Sequence, residues 1–335
     1  MTKILFFDTD PQTKTFFTQR LAHKAELFFS PNTIHHPLTK NLPTDVEVIS
    51  VFAHSQPIGA STLKPFKNLR LLATRSTGYN HIDLDYCRRH NIAVVNVPNY
   101  GETTVAEFTF GLILGLTRKI YPAKSDLKKN NIQLDKYMGI DLEGRTLGVV
   151  GAGAIGRHVA QLGKAFGMKI LAYDPHPVYT PKYITYVPFE KLVHNSDIIT
   201  LHCPATKQNT HLFNKNTFAQ MKPEALLINN TARGSLVDTE ALYEAIQTRQ
   251  IAGAALDVLE NEDVLMQREI DLGSQSTTRE ALVDSLINLK LMQLDNVLIT
   301  PHIAFNSTDA VNRILETTAE NIVKFLSGRP IHTVQ

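Results

Sequence analysis

Cysteine is scarce in this chain. Cys87 and Cys203 are its two, and they form no CxxC pair. That argues against a disulfide framework or a cysteine-built zinc site, so no metal is expected, and a reducing compartment fits. Charge of one sign is missing as well. Lys and Arg number 34 against 32 Asp and Glu, a net charge of +2, which leaves no basic footprint for nucleic acid. No long apolar run is present. The most apolar helical stretch, 108–116, contains two glycines and falls far short of a membrane span. At the N-terminus, Asp8 stands where a secretory signal needs an apolar core. These absences point to the cytoplasm, with neither membrane nor nucleic acid as partner. Repeats and low-complexity tracts are also absent.

What the chain does have is 335 residues, 43% of them apolar and 20% charged, an ordinary globular balance sufficient for two domains. Short β-rich runs alternate with helical patterns, which predicts βαβ units and doubly wound parallel sheets, an α/β fold. Early strands are expected at 3–7, 46–52, 71–74 and 93–95, with a helix at 12–21. A stretch punctuated by Pro98 and Gly101 marks a boundary before a long apolar helix, 103–118. The polar segment 128–136 reads as a surface loop. A second alternating series follows, with strands at 146–150, 169–173, 198–201, 225–229, 253–256 and 297–299. Six strands in one series suit a complete dinucleotide-binding sheet. Helical spacing returns over 309–326.

The second series opens on Gly151-Ala-Gly153-Ala-Ile-Gly156, between an apolar run and a helical pattern. Gly151 suits a tight turn, Gly153 a close approach to a pyrophosphate, and Gly156 close helix–strand packing. The helix N-terminus offers N–H groups and a positive dipole end to phosphates. Asp174 ends the next strand, 18 residues after Gly156. A carboxylate there accepts ribose hydroxyls and repels a 2′-phosphate, so the expected cofactor is NAD rather than NADP.

With the fingerprint in place, seven stretches spread over most of the chain resemble the D-isomer-specific 2-hydroxyacid dehydrogenase family, in that family's order. They are 75–83 (Arg-Ser-Thr-Gly-Tyr-Asn-His-Ile-Asp), 105–107, the glycine loop with Tyr173-Asp174, 202–204, 230–234 (Asn-Thr-Ala-Arg-Gly), 255–258 and 300–302. Residues 98–100 and 302–305 look most like the D-lactate dehydrogenase branch. The resemblance implies two Rossmann-like domains. One is a discontinuous substrate domain, residues 1–100 and 305–335, and the other an inserted NAD-binding domain, residues 101–304. It also implies a homodimer built through the cofactor domains, with the active site in the cleft between domains. The alternatives are hydroxyisocaproate, glyoxylate/hydroxypyruvate or phosphoglycerate types, or a non-catalytic, dinucleotide-sensing corepressor-like protein. A formate-dehydrogenase type would carry glutamine at the position of Glu262.

Carried over residue by residue, the resemblance implies a catalytic set for reducing a 2-keto acid. Arg233 anchors the carboxylate and polarises the carbonyl, because its fork stays charged. His302 supplies the proton, since imidazole titrates near neutral pH. Glu262 holds His302 and favours its proton-bearing form. Glu260 and Asp263 read as decoys beside it. Thr77 and Gly78 are expected to offer backbone N–H groups to the substrate carboxylate. Tyr100 and Phe305 are expected to shape the side-chain pocket. Around the cofactor the same logic places Ala154, Ile155, Cys203, Pro204, Asn209, Thr231, Ala232 and Arg233, with Asp257 on the carboxamide. Cys203 reads as a packed thiol. One departure stands out: Glu262 and His302 lie 40 residues apart, longer than in many members, with a helical stretch at 279–294 inside the step.

Overall fold

The computed structural model describes residues 1–37, 41–52, 57–229, 234–260, 262 and 279–334. The chain separates into two compact units, Met1–Tyr100 with Ser307–Gln335, and Gly101–Asn306.

The first unit is built on β1 (Thr2–Phe6), β2 (Ala25–Phe29), β3 (Val48–Val51), β4 (Leu71–Thr74), β5 (Ala93–Val95) and the terminal β13 (Thr333–Val334). Their order across the sheet is β13-β5-β4-β3-β1-β2, parallel except where β13 pairs antiparallel with β5. β3 and β4 are buried at every position, as strands covered on both faces must be. One face packs Phe17 and Leu21 of the helix Pro11–Leu21 and Leu315, Ala319 and Ile322 of the helix Thr308–Leu326. Pro11 fits the first helical turn, where its missing N–H costs nothing, and Asp10 caps that turn by accepting from Thr13 N at 2.6 Å. The other face packs Leu63, Phe66, Tyr86 and Ile92. Strand order reverses between β1 and β3, so the chain ends at Phe7–Thr9, Phe52 and Arg75–Gly78 collect at one edge. Buried Arg75 ties that edge together, donating to Ser50 Oγ, Phe7 O and Asp8 O at 3.0, 2.6 and 3.1 Å.

The second unit carries β6 (Thr146–Val150), β7 (Lys169–Tyr173), β8 (Ile184–Tyr186), β9 (Ile198–Leu201), β10 (Leu226–Asn229), β11 (Gly253–Leu256) and β12 (Val297–Ile299). All pairs are parallel, in the order β12-β11-β10-β9-β6-β7-β8. The α/β, doubly wound reading therefore holds for both sheets. The helices Glu102–Thr117 and Ala154–Ala165 cover one face, and Thr239–Gln247 with Arg279–Leu291 the other.

Four elements differ from the sequence reading. β2 follows its helix without the Gly or Pro that would announce a turn, and β8 is three residues long; neither was expected. The second sheet therefore has seven strands rather than six. Helix occupies Ile120–Lys128 and a 3-10 turn Leu134–Tyr137, overlapping the two ends of the segment expected as loop. Neither buries a residue, and the charged and polar residues between them read as loop.

Candidate active site

The glycine loop sits where β6 and β9 diverge, the switch point of the second sheet. Gly151 has φ +91, and a Cβ there would lie 2.6 Å from Cys203 N, so the loops leaving the two strands touch. A Cβ on Gly156 would collide with the Gly151 carbonyl oxygen. At Gly153 a Cβ would meet nothing within 4 Å. Two glycines thus answer to the fold, and the middle one faces open space that a bound group can occupy. Gly153 also begins the helix Ala154–Ala165 without any side-chain cap, leaving its first N–H groups to an incoming anion. Ala154 and Ile155 are half-buried in the first turn, and Ile155 packs onto the core below. Asp174, at the end of β7, accepts from Ala152 N and His176 N at 2.9 Å each. Those bonds fix its carboxylate beside the loop. A dinucleotide with an unphosphorylated ribose fits this set.

The loop after β9 is closed by Asn209, whose Nδ2 donates to Pro204 O at 2.8 Å and whose Oδ1 accepts from Thr206 N at 2.6 Å. Burial pushes the Cys203 thiol up to about 11, which suits a packed thiol and not a nucleophile. Burial pushes the neighbouring His202 imidazole down to about 3, with its Nε2 2.8 Å from Thr200 Oγ1. A ring so biased stays neutral near pH 7 and offers no proton. Thr231, Ala232 and Arg233 lie outside the described residues. Gly234, next in sequence, is jammed: a Cβ there would strike Leu259 O and Glu260 N.

His302 and Glu262 meet. His302 Nδ1 lies 2.8 Å from Glu262 Oε1, and Glu262 Oε2 accepts from Leu259 N at 3.2 Å. The bond on Nδ1 leaves Nε2 as the ring nitrogen directed elsewhere. His302 takes φ +54, a left-handed backbone that a non-glycine residue adopts at a cost of order 1 kcal/mol when its surroundings enforce it. The surroundings are Asp257. Its carboxylate, 1% exposed, accepts from Thr300 Oγ1 at 2.5 Å, Ile303 N at 2.9 Å and Ala304 N at 2.7 Å. Burial raises the Asp257 pKa from the usual carboxylate value, opposed by those three donors and by His302. The sequence reading put Asp257 on a carboxamide. The structure shows it gripping the turn that carries His302 on both sides.

In the first unit, Thr77 Oγ1 donates to Val97 O at 2.8 Å and Ser76 Oγ to Gly78 O at 2.7 Å. Among the described residues the backbone N–H groups of Thr77 and Gly78 find no protein acceptor, so two adjacent donors stand open. Tyr100 is half-buried and its carbonyl accepts from Arg313 Nε at 2.7 Å. Phe305, in the second unit, is half-buried next to Ala304.

Glu260 has a histidine of its own, which the sequence reading missed. His211 Nε2 lies 2.6 Å from Glu260 Oε1. Nothing in the spacing of 211 and 260 announces this pair.

Comparison with known proteins agrees with this geometry. The family model for the NAD-binding domain of D-isomer-specific 2-hydroxyacid dehydrogenases matches residues 110–304. A 2-hydroxyacid dehydrogenase homolog of Haemophilus influenzae is 38% identical over 87% of this chain and 86% of its own length. An aromatic 2-oxoacid reductase of Clostridium sporogenes is 36% identical, over 92% of this chain and 91% of its own. The structure of D-lactate dehydrogenase from Aquifex aeolicus, complexed with NAD and lactic acid, superposes with a TM-score of 0.83 at 35% identity, covering 97% and 96% of the two chains. Fold and site define an NAD-dependent oxidoreductase. The chain belongs to the D-isomer-specific 2-hydroxyacid dehydrogenase family.

Proposed function

We propose that this enzyme reduces a small 2-keto acid to the D-2-hydroxy acid in the manner of a D-lactate dehydrogenase. The observation that carries the proposal is the His302–Glu262 pair, held over the buried Asp257 carboxylate in the same unit as the nucleotide fingerprint. NADH, when bound, supplies the hydride. The chain supplies the rest. Arg233 is assigned to the substrate carboxylate and the carbonyl oxygen. His302 Nε2 is assigned to give its proton to that oxygen as the alcohol forms. Glu262 steadies the imidazolium and fixes its ring. The open amides of Thr77 and Gly78 are assigned to the carboxylate, and Tyr100 and Phe305 to the side-chain pocket. The lactate assignment draws on the similarity to the Aquifex enzyme; the aromatic 2-oxoacid reductase marks the larger substrate as the competing reading.

The test is a panel of 2-keto acids of graded size with NADH and NADPH. Pyruvate is expected to lead, with NADH preferred because Asp174 opposes a 2′-phosphate. Faster turnover of phenylpyruvate would overturn the substrate, and equal NADPH rates the role of Asp174. His302→Gln should cut turnover by about 100-fold or more while NADH still binds, as read by calorimetry. Near-normal turnover in that variant would sink the assignment of the proton donor.

We also infer a homodimer. The segment after the helix Glu102–Thr117 exposes Leu127 at 63%, Leu134 at 81% and Met138 at 79%, an apolar surface that a second copy of the chain would cover.

A further inference from the structure

We propose that His211 and Glu260 form a positioning pair that locks the turn at Leu259–Glu260, so that Glu262 is presented to His302. The inference rests on the reading of Glu262 and His302 as the orienter and the proton donor.

The turn is fastened at Glu260 from three directions. Glu260 Oε1 receives His211 Nε2 at 2.6 Å. Its Oε2 lies 3.4 Å from Thr239 N and 3.3 Å from Thr239 Oγ1, at the start of the helix Thr239–Gln247. Its carbonyl accepts from Asn288 Nδ2 at 3.2 Å, on the helix Arg279–Leu291. The backbone at Leu259–Glu260 is blocked by Gly234, which leaves no room for a Cβ. Two residues further on, Glu262 turns back to accept from Leu259 N and reaches His302. A shift at Glu260 is therefore a shift of the carboxylate that orients the acid.

His211 is itself immobilised. Its N–H donates to Ser235 O at 2.8 Å, its carbonyl accepts from Asn214 Nδ2 at 3.0 Å, and its backbone is left-handed with φ +52. Both histidines facing this turn thus sit in backbones that only a well-determined environment maintains. The charged groups facing His211 are carboxylates from every element packed against it. Glu260 comes from the turn, Asp238 (Oδ2 3.9 Å from Nδ1) from the start of the helix Thr239–Gln247, and Asp284 from Arg279–Leu291. Burial works against the charged ring, but the hydrogen bond to Glu260 and the three carboxylates raise its pKa above the usual histidine value. That direction favours the protonated ring and with it a charge-assisted bond to Glu260. A half-exposed ion pair of this kind adds little to global stability, so its consequence lies in position.

The experiment compares wild type with His211→Ala, His211→Gln and His302→Gln in the full-length enzyme. His211→Ala should lower kcat about tenfold, the usual cost of losing the partner that orients a functional ligand. It should also move the alkaline limb of kcat/KM for keto-acid reduction to lower pH, with KM for NADH unchanged. His211→Gln, which can still donate to Glu260, should recover most of kcat. Independently of turnover, nitrogen NMR of histidine-labelled protein, assigned with His302→Gln, should show the His302 imidazole titrating at lower pH in His211→Ala than in wild type. An unmoved His302 titration and alkaline limb would overturn the proposal, and so would equal losses of kcat, NADH binding and melting temperature in both His211 variants. If His302→Gln retains turnover, the catalytic reading fails instead, and the NMR shift still decides whether the pair positions Glu262.

Discussion

Asp257 and Asn229 are both polar, both buried and only a backbone bond apart, since Asp257 N donates to Asn229 O at 2.9 Å. Their side chains have opposite fates. Asp257 spends its carboxylate on three donors from the His302 turn. Asn229, 0% exposed at the end of β10, has neither Oδ1 nor Nδ2 bonded among the described residues. It lies on the face of β10 occupied by Leu227, and its register neighbours Leu201 and Leu256 belong to the core on that face. A buried amide without partners costs about 1–3 kcal/mol. Asn229→Val should therefore raise the melting temperature, as read by calorimetry; an unchanged or lower value would mean the amide has a partner that its burial conceals. Sequence reading proposes Arg233 and His302 because tight local motifs surround them, and Glu262 by its spacing from Arg233; of the three, the structure brings Glu262 and His302 together, and Arg233 lies outside the described residues. The grip of Asp257 was not legible. Its donors lie 43 to 47 residues further along, and nothing in the local pattern links a carboxylate to a turn at that distance.

At the scale of the element, the glycine loop separates folding from binding. A methyl group at Gly156 meets the Gly151 carbonyl, and one at Gly153 meets open space. Gly156→Ala should lose melting temperature, because strand and helix must part to admit it. Gly153→Ala has φ −68 and ψ −162, values an alanine adopts freely, and should melt like wild type. Its affinity for NADH, followed by fluorescence titration, should nevertheless fall about tenfold or more as the methyl group occupies the approach to the phosphates. Normal binding by Gly153→Ala would remove the phosphates from that site. This division was visible in the sequence because strand, glycine spacing and helix lie within one short window. β2 and β8 were not visible for the complementary reason. β2 enters straight from its helix with no Gly or Pro between them, β8 is only three residues long, and both are specified by pairing with β1 or β7, not by a pattern of their own.

At the scale of the whole molecule, the exposed Leu127, Leu134 and Met138 predict assembly. Light scattering should give twice the mass of one chain. Leu134→Asp with Met138→Asp should return the mass to that of a monomer; a monomeric wild type would refute the dimer. The chain crosses between its units at Tyr100–Gly101 and again at Asn306–Ser307, so the first unit is built from two separate stretches and the second from one. Inside the second unit, Glu260 bonds to His211, to Thr239 and to Asn288, so one residue ties together the helices Thr239–Gln247 and Arg279–Leu291. Elements fastened to a common residue keep their places by those bonds and not by the number of residues that separate them in sequence, since doubling the length of a flexible connection costs only about 0.6 kcal/mol in closure entropy. The carboxylate beside His302 is held by bonds local to it, so descendants of this chain can change length between these two helices while the proton-transfer geometry stays where it is.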